Sequence, residues 1–261
     1  MKIILLTFYY PPDLCAGSFR AVALVEALSK RIFSEDEIHV ITSHPNRYLS
    51  HQASADDLQI EGNVTIRRIR IPYHQSGMIS QVRTFTVFAW HALRHCIKLK
   101  PDFIIGTTSR LMTGVLTWFS SITVRSRYFV DLRDIFSETI SDLFLAKSSL
   151  IGRWLKSVFS FMEWHLLVNA TGVNVVSEAF PDYFQEKGID TSKWTFFPNG
   201  VDREFIDFGF KTAGKCHGLK TVLYAGNIGS GQGMETIVPE VAKQLGSNFK
   251  FQIVGDGSTR K

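Results

Sequence analysis

Cysteine is scarce in this chain: there are three in 261 residues, Cys15, Cys96 and Cys216, far apart and never in CxxC spacing. An odd, scattered set excludes a disulfide framework and a thiolate zinc site, and it predicts a reducing, cytoplasmic setting. The eight histidines form no HxH or HExxH motif, so no catalytic metal is expected. No GxGxxG follows any strand-like run, which disfavours a nicotinamide or flavin dinucleotide. Long apolar runs are missing too. Residues 111–124 and 164–176 are the longest after the first strand, and they are too short for a bilayer or hold polar groups. The opening run, residues 2–10, is too short for a signal-peptide core and ends in Pro11-Pro12 instead of a small-residue cleavage site. No solenoid-period repeat and no low-complexity tract interrupts the chain.

What is present is an ordinary globular composition, 45% hydrophobic and 20% charged, long enough for one large domain and part of another. The formal charge of +5 and pI near 9.1 favour anionic partners. Because Lys and Arg are scattered, a nucleotide phosphate or an acidic membrane surface accounts for them, and nucleic acid is not expected.

Short β-branched runs alternate with longer helical patterns. Strands are predicted over residues 3–7, 38–42, 64–69, 103–107, 128–132 and 173–177, and helices over 18–31, 78–98, 111–122, 149–170 and 178–187. Such alternation implies βαβ crossovers and a largely parallel sheet. Near-continuous apolar strands such as KIILLT imply cover on both faces. Residues 194–198 add a further strand-like segment, and Asn199-Gly200-Val201-Asp202 supplies a turn. The expected organisation is an N-terminal Rossmann-like domain over 1–204, a linker over 205–219 and a second α/β unit over 220–261. In that unit, KTVLYAG and FKFQIVGDG read as strands around a helix over 233–245. Two similar domains of this kind bind ligands beyond the carboxyl ends of their strands.

The residues with chemistry cluster at strand ends. After the first strand, a stiff loop FYYPPDLCAGSFR delivers Gly17 and Ser18 to a helix start, where free amides and the helix dipole can hold a phosphate. The alternative is a plain strand-to-helix turn with Ser18 as N-cap. Asp131-Leu132-Arg133-Asp134 ends another strand. Two acids beside an arginine can supply a general base or orient acceptor hydroxyls, or else form a structural ion pair with Arg133. In the second unit, residues 226–233 (GNIGSGQG) hold four glycines in eight positions. That lets the backbone approach a diphosphate closely, with Asn227 and Gln232 as donors. The alternative for that loop is a flexible surface connection. Asn199 is a candidate cleft-lining residue, and Gly255, Asp256 and Gly257 either line the cleft or simply turn the chain. Residues 83–98 and 147–164 mix bulky apolar side chains with cations, as membrane-surface helices do, although ordinary amphipathic packing is the better explanation of them.

Taken in order, KIILLTFYYPPDLCAGSFRA, DLRDIF, FFPNGVD, LYAGNIGSGQGMETI and IVGDG resemble the retaining family 4 glycosyltransferases of GT-B fold, in particular those of bacterial surface-polysaccharide, colanic-acid and O-antigen assembly. The resemblance spans the whole chain and speaks to family more than to substrate. It implies metal-independent transfer of a sugar from a nucleotide-sugar donor to a lipid-linked or oligosaccharide acceptor, without a cofactor, in the cytoplasm or peripherally at the inner membrane. It also implies roles. Gly17 approaches the donor phosphates with Ser18, Arg20 supports that loop, and Asp131, Arg133 and Asp134 lie near the acceptor and reacting centre. The Gly226 loop, with Asn227 and Gln232, faces the diphosphate.

Two departures stand beside the resemblance. Asn227 and Gln232 occupy positions where many relatives carry an arginine and a lysine. The 56 residues after Phe205 are also roughly 100 short of a full domain, and the family's glutamate pair is not among them. The expectation is a truncated donor-side domain and little transferase activity from this chain alone. A non-catalytic module or split subunit completed by a separate chain is the second reading, and an epimerase or hydrolase of nucleotide sugars with similar fold is the third.

Overall fold

The computed structural model describes residues 1–46, 53–72, 78–108, 110–135, 149–201, 206–208, 219–226, 228–229, 232–255 and 257. Those residues divide between two compact units, Met1–Gly200 and Val201–Lys261.

In the first unit the elements run β1 (Lys2–Leu6), α1 (Ala16–Ser29), β2 (Glu37–Ser43), β3 (Leu58–Glu61), β4 (Val64–Ile69), α2 (Met78–Leu99) and β5 (Phe103–Thr107). They continue with α3 (Leu111–Val124), β6 (Arg127–Leu132), α4 (Ser149–Val168), β7 (Gly172–Val175), α5 (Ala179–Glu186) and β8 (Thr195–Phe196). The eight strands form one sheet in the order β3-β4-β2-β1-β5-β6-β7-β8. Every neighbouring pair is parallel except β3 against β4.

The apolar strands are explained by burial on both faces. Along β1, Ile3 and Leu5 enter one core cluster while Ile4 and Leu6 enter the other, the two-residue alternation of a pleated strand. Helix α1 covers one face with Ala21 and Val25, one turn apart. The opposite face receives Phe88, Ala92 and Cys96 of α2, Leu116 of α3, Leu166 and Leu167 of α4, and Phe184 of α5. Close packing of β5 on α3 requires glycine at position 106. A Cβ there would lie 2.0 Å from Thr117 Oγ1.

The order of strands turns back between β1 and β5. From β1 the chain winds outward through β2 and β4, and α2 returns it to β5 on the other side of β1. A reversal of this kind parts the loops at the carboxyl edge and leaves a crevice there. The loops after β1, β5, β6 and β8 all open onto that edge.

Among the described residues, the second unit holds a βαβ crossover. Strands β9 (Lys220–Ala225) and β10 (Phe249–Val254) pair in parallel around α6 (Met234–Leu245).

Candidate active site

The loop after β1 is held rigidly. Arg68 donates to the Pro11 carbonyl at 2.9 Å, and Asp13 Oδ1 accepts the Asn46 amide at 3.1 Å. Arg110, at the start of α3, lays its guanidinium over the Phe8 ring at 4.1 Å and donates to the Tyr9 hydroxyl at 2.9 Å. Helix α1 begins at Ala16, with extended Cys15 as its N-cap and no side-chain cap bond. The expected cap, Ser18, instead lies buried inside the first turn, its amide bonded to the Cys15 carbonyl at 2.9 Å. The chain turns into the helix three residues earlier than a Ser cap implies, so Gly17 sits in the first turn with no helical partner for its amide, whereas the Ser18 and Phe19 amides both donate to the Cys15 carbonyl.

Asp131, near the end of β6, is the centre of the polar cluster. Its carboxylate is buried and accepts both Arg20 Nε and Arg20 Nη2 at 2.8 Å, a bidentate pair, together with Asn174 Nδ2 at 2.8 Å. Arg20 Nη1 donates in turn to the Pro198 carbonyl at 2.9 Å. Four segments, α1, β6, β7 and the stretch after β8, are thereby tied to one carboxylate. Three donors thus occupy most of the acceptor sites of this carboxylate and hold Arg20 and Asn174 in place around it.

Arg133 lies one residue past β6 and reaches back to the same region. Its amide donates to Thr108 Oγ1 at 2.9 Å, Nη1 to the Ala16 carbonyl at 3.1 Å and Nη2 to Asn199 Oδ1 at 3.2 Å. Desolvation pushes its pKa below the ordinary arginine value, with Arg20 adding in the same direction and Asp131 opposing. The expected alternative, an ion pair of Arg133 with a neighbouring acid, is corrected. The pair is made by Arg20 with Asp131 across 111 positions of sequence, and the Arg133 guanidinium donates to the Ala16 carbonyl and the Asn199 side-chain oxygen. Asp134 stays exposed at the mouth. Desolvation nevertheless raises its carboxyl pKa, and Arg133 pulls the other way.

The first unit therefore brings together Arg20, Asp131, Arg133 and Asn199, with Ala16 and its neighbour Gly17 at the same edge. Sequence reading missed Asn174, Thr108, Arg110 and Tyr9. Asn174 had a signal: it is a lone amide in an otherwise apolar strand, and it is buried.

The glycine candidates of the second unit form a separate arrangement within that unit. The Gly226 amide donates to the Val254 carbonyl at 2.9 Å, and a Cβ on Gly255 would stand 1.8 Å from the Gly226 oxygen. Gly257 is equally tight against Ile228. The loops after β9 and β10 thus touch backbone to backbone. Gln232 accepts the Gly229 amide through Oε1 at 3.1 Å, so this side chain shapes its own loop. Asn227 and Asp256 lie outside the described residues. Among the described residues, no group of three His, Cys, Asp or Glu side chains is placed to hold a metal, and no helix is long and apolar enough to cross a membrane.

A glycosyl transferase 4-like domain model matches residues 18–200, the span that holds the whole Arg20–Asp131–Asn174 cluster. The chain belongs to that family. It is 25% identical over 275 residues to the colanic acid biosynthesis glycosyl transferase WcaI of Escherichia coli K12, covering 98% of this chain and 66% of that protein. Among solved structures it resembles sucrose-phosphate synthase of Thermosynechococcus elongatus, with TM-score 0.67, 14% identity and coverage of 100% of this chain and 64% of that one. It also resembles Anabaena HepE solved with UDP and glucose, with TM-score 0.56, 13% identity and coverage of 99% and 62%. The fold class is α/β of the GT-B glycosyltransferase type, and the chain spans just under two thirds of each of these relatives.

Proposed function

We propose that this glycosyltransferase-family chain takes a sugar from a nucleotide-sugar donor and passes it to a lipid-linked or oligosaccharide acceptor in cell-surface polysaccharide assembly, of the colanic-acid, lipopolysaccharide or O-antigen kind. The setting is the cytoplasm, at the cytoplasmic face of the membrane. The observation that supports this most is the polar cluster around Asp131 at the carboxyl edge of the sheet, inside the matched family span.

In this reading the bond from the anomeric carbon to the diphosphate breaks, and its electron pair leaves with the nucleoside diphosphate. The acceptor oxygen bonds to that carbon on the same face, and the hydroxyl proton passes to the departing phosphate oxygen. The first-turn amide of Gly17, with Ser18 beside it in the same turn, and the Arg133 guanidinium meet the growing negative charge, so the transfer needs no resident metal or cofactor. Asp131 holds Arg20 in place, and exposed Asp134 takes an acceptor hydroxyl. The glycine loops of the second unit, with Gly226, Asn227, Gln232 and residues 255–257, are assigned to the donor.

UDP-glucose is the first donor to test, since HepE was solved with UDP and glucose. The purified chain is mixed with UDP-glucose and a polyprenyl-diphosphate-linked sugar, and UDP release is followed with and without the acceptor. Release that requires the acceptor supports transfer. Equal release without it indicates hydrolysis or epimerisation, and absence of both release and ligand-induced thermal stabilisation indicates a non-catalytic module.

A further inference from the structure

Helices α2, α3 and α4 lie side by side on one face of the sheet, and their outward sides are unusual in two independent ways. The first is apolar exposure. Trp154, Phe161 and Val168 follow one another at seven-residue spacing along α4, the repeat that keeps side chains on one face, and all three are exposed. On α2, Trp90 and Ile97 do the same. Between them α3 exposes Phe119 and Ile122. Trp90, Trp154 and Phe161 each leave at least 60% of their surface uncovered, far from what packing against a core produces.

The second is charge. Neither α2 nor α3 contains an Asp or Glu, and of the chain's 24 acids α4 holds only Glu163, which is buried. Arg83 and Arg94 flank Trp90 on α2, seven residues before it and one turn after it. On α4, Arg153 and Lys156 are near Trp154 in sequence, Arg153 about 100° and Lys156 about 160° around the helix from it. All four cations are exposed. A surface with exposed tryptophans and cations on the same helices, and with no exposed acid, is complementary to the headgroup region of an anionic bilayer. There indole rings rest between water and acyl chain while cations meet lipid phosphates.

We infer that the outer face of α2, α3 and α4 docks on an anionic membrane surface. Because α2 and α4 both start at the carboxyl edge of the sheet, docking by this face sets the Asp131 crevice beside the bilayer. The inference adds a surface to the membrane setting proposed above, and rests on that proposal only for this placement. Its test contains neither donor nor acceptor, so that failure of docking and failure of sugar transfer are told apart.

The test is vesicle sedimentation of the purified chain. Phosphatidylcholine vesicles are compared with vesicles holding one third phosphatidylglycerol, at low and raised salt. The expected result is binding to the anionic vesicles, at least tenfold weaker in raised salt because headgroup attraction is screened, and negligible binding to phosphatidylcholine alone. Arg153→Glu with Lys156→Glu is expected to weaken binding at least tenfold, and Trp154→Ser with Phe161→Ser to do so independently. These four side chains are solvent-exposed, so circular dichroism should show native helix in both variants; whichever variant retains it decides. Bromine-labelled lipid should quench tryptophan fluorescence in the wild type and less so in Trp154→Ser. Three results would overturn the inference: no difference between the two vesicle types, duplex DNA binding as tight as anionic vesicles at equal salt, or a dimer that Trp154→Ser with Phe161→Ser dissolves while vesicles are not bound.

Discussion

Arg20 and Asp131 meet as a bidentate pair, Nε to Oδ2 and Nη2 to Oδ1, each at 2.8 Å. The aspartate is almost fully buried and the arginine nearly so, with 4% and 16% of their side chains exposed. At that burial, removing one partner strands the other charge, a loss far larger than that of a surface pair. Asp131→Asn should therefore cost about 3 kcal/mol of unfolding free energy, seen as a lower urea midpoint with unchanged slope. A loss below about 0.5 kcal/mol would show that the pair behaves as if solvated.

Asp134 gives the opposite sign. Its folded-state pKa is raised, chiefly by desolvation, so between the unfolded and folded values the native state holds more protons. Stability then falls as pH rises through that window, and the ionised carboxylate works against folding at neutral pH. Asp134→Asn should be more stable than wild type at pH 7, with the gain vanishing below the unfolded carboxylate pKa. Paired urea titrations at several pH values measure this. A gain that persists at low pH would place the effect elsewhere.

Much of the fold was legible because burial on both faces leaves a plain mark: β1, β5 and β6 are short apolar runs, and α2 repeats its core contacts Phe88, Ala92 and Cys96 every four residues. Strand β3 was not foreseen. Its sequence LQIE is mostly exposed at the sheet edge, so it has no core-facing run to betray it. The helix cap was misread for a related reason. A hydroxyl at Ser18 is a cap signal only if the backbone turns there, and the turn is made at Cys15. The carboxyl-edge site was legible in its parts, Asp131 and Arg20, but not in their union. No spacing rule links residues 111 positions apart; only the strand order brings α1 over the end of β6.

Tyr128 ties β6 to α4. Its hydroxyl donates to the Leu166 carbonyl at 2.8 Å in the core, and burial pushes the phenol well above its ordinary pKa. Leu166 lies in the last turn of α4, where carbonyls have no partner within the helix, so the phenol supplies the missing donor. Tyr128→Phe keeps the ring and leaves that oxygen buried and unpaired. The expected loss is about 1 kcal/mol, with faster amide exchange at the end of α4. An unchanged exchange pattern would mean that the carbonyl finds water instead.

Gly255 offers a test confined to the second unit. A methyl group there would stand 1.8 Å from the Gly226 carbonyl oxygen and 2.9 Å from its carbon, both backbone atoms of a loop already bonded to Val254. Neither can rotate aside as a side chain can. Gly255→Ala must therefore push apart the loops after β9 and β10, and the cost of such overpacking is about 1–3 kcal/mol. Gly200→Ala is the matching control, because a Cβ at Gly200 meets nothing within 4 Å; its effect should stay within about 0.5 kcal/mol. Hydrogen exchange read separately over each unit should show Gly255→Ala loosening Lys220–Ala225 and Phe249–Val254 while β1 to β8 stay protected. Equal loosening of both units would show that their stabilities are coupled, and no loosening would show that the two loops do not approach as closely as Gly255 and Gly226 do here.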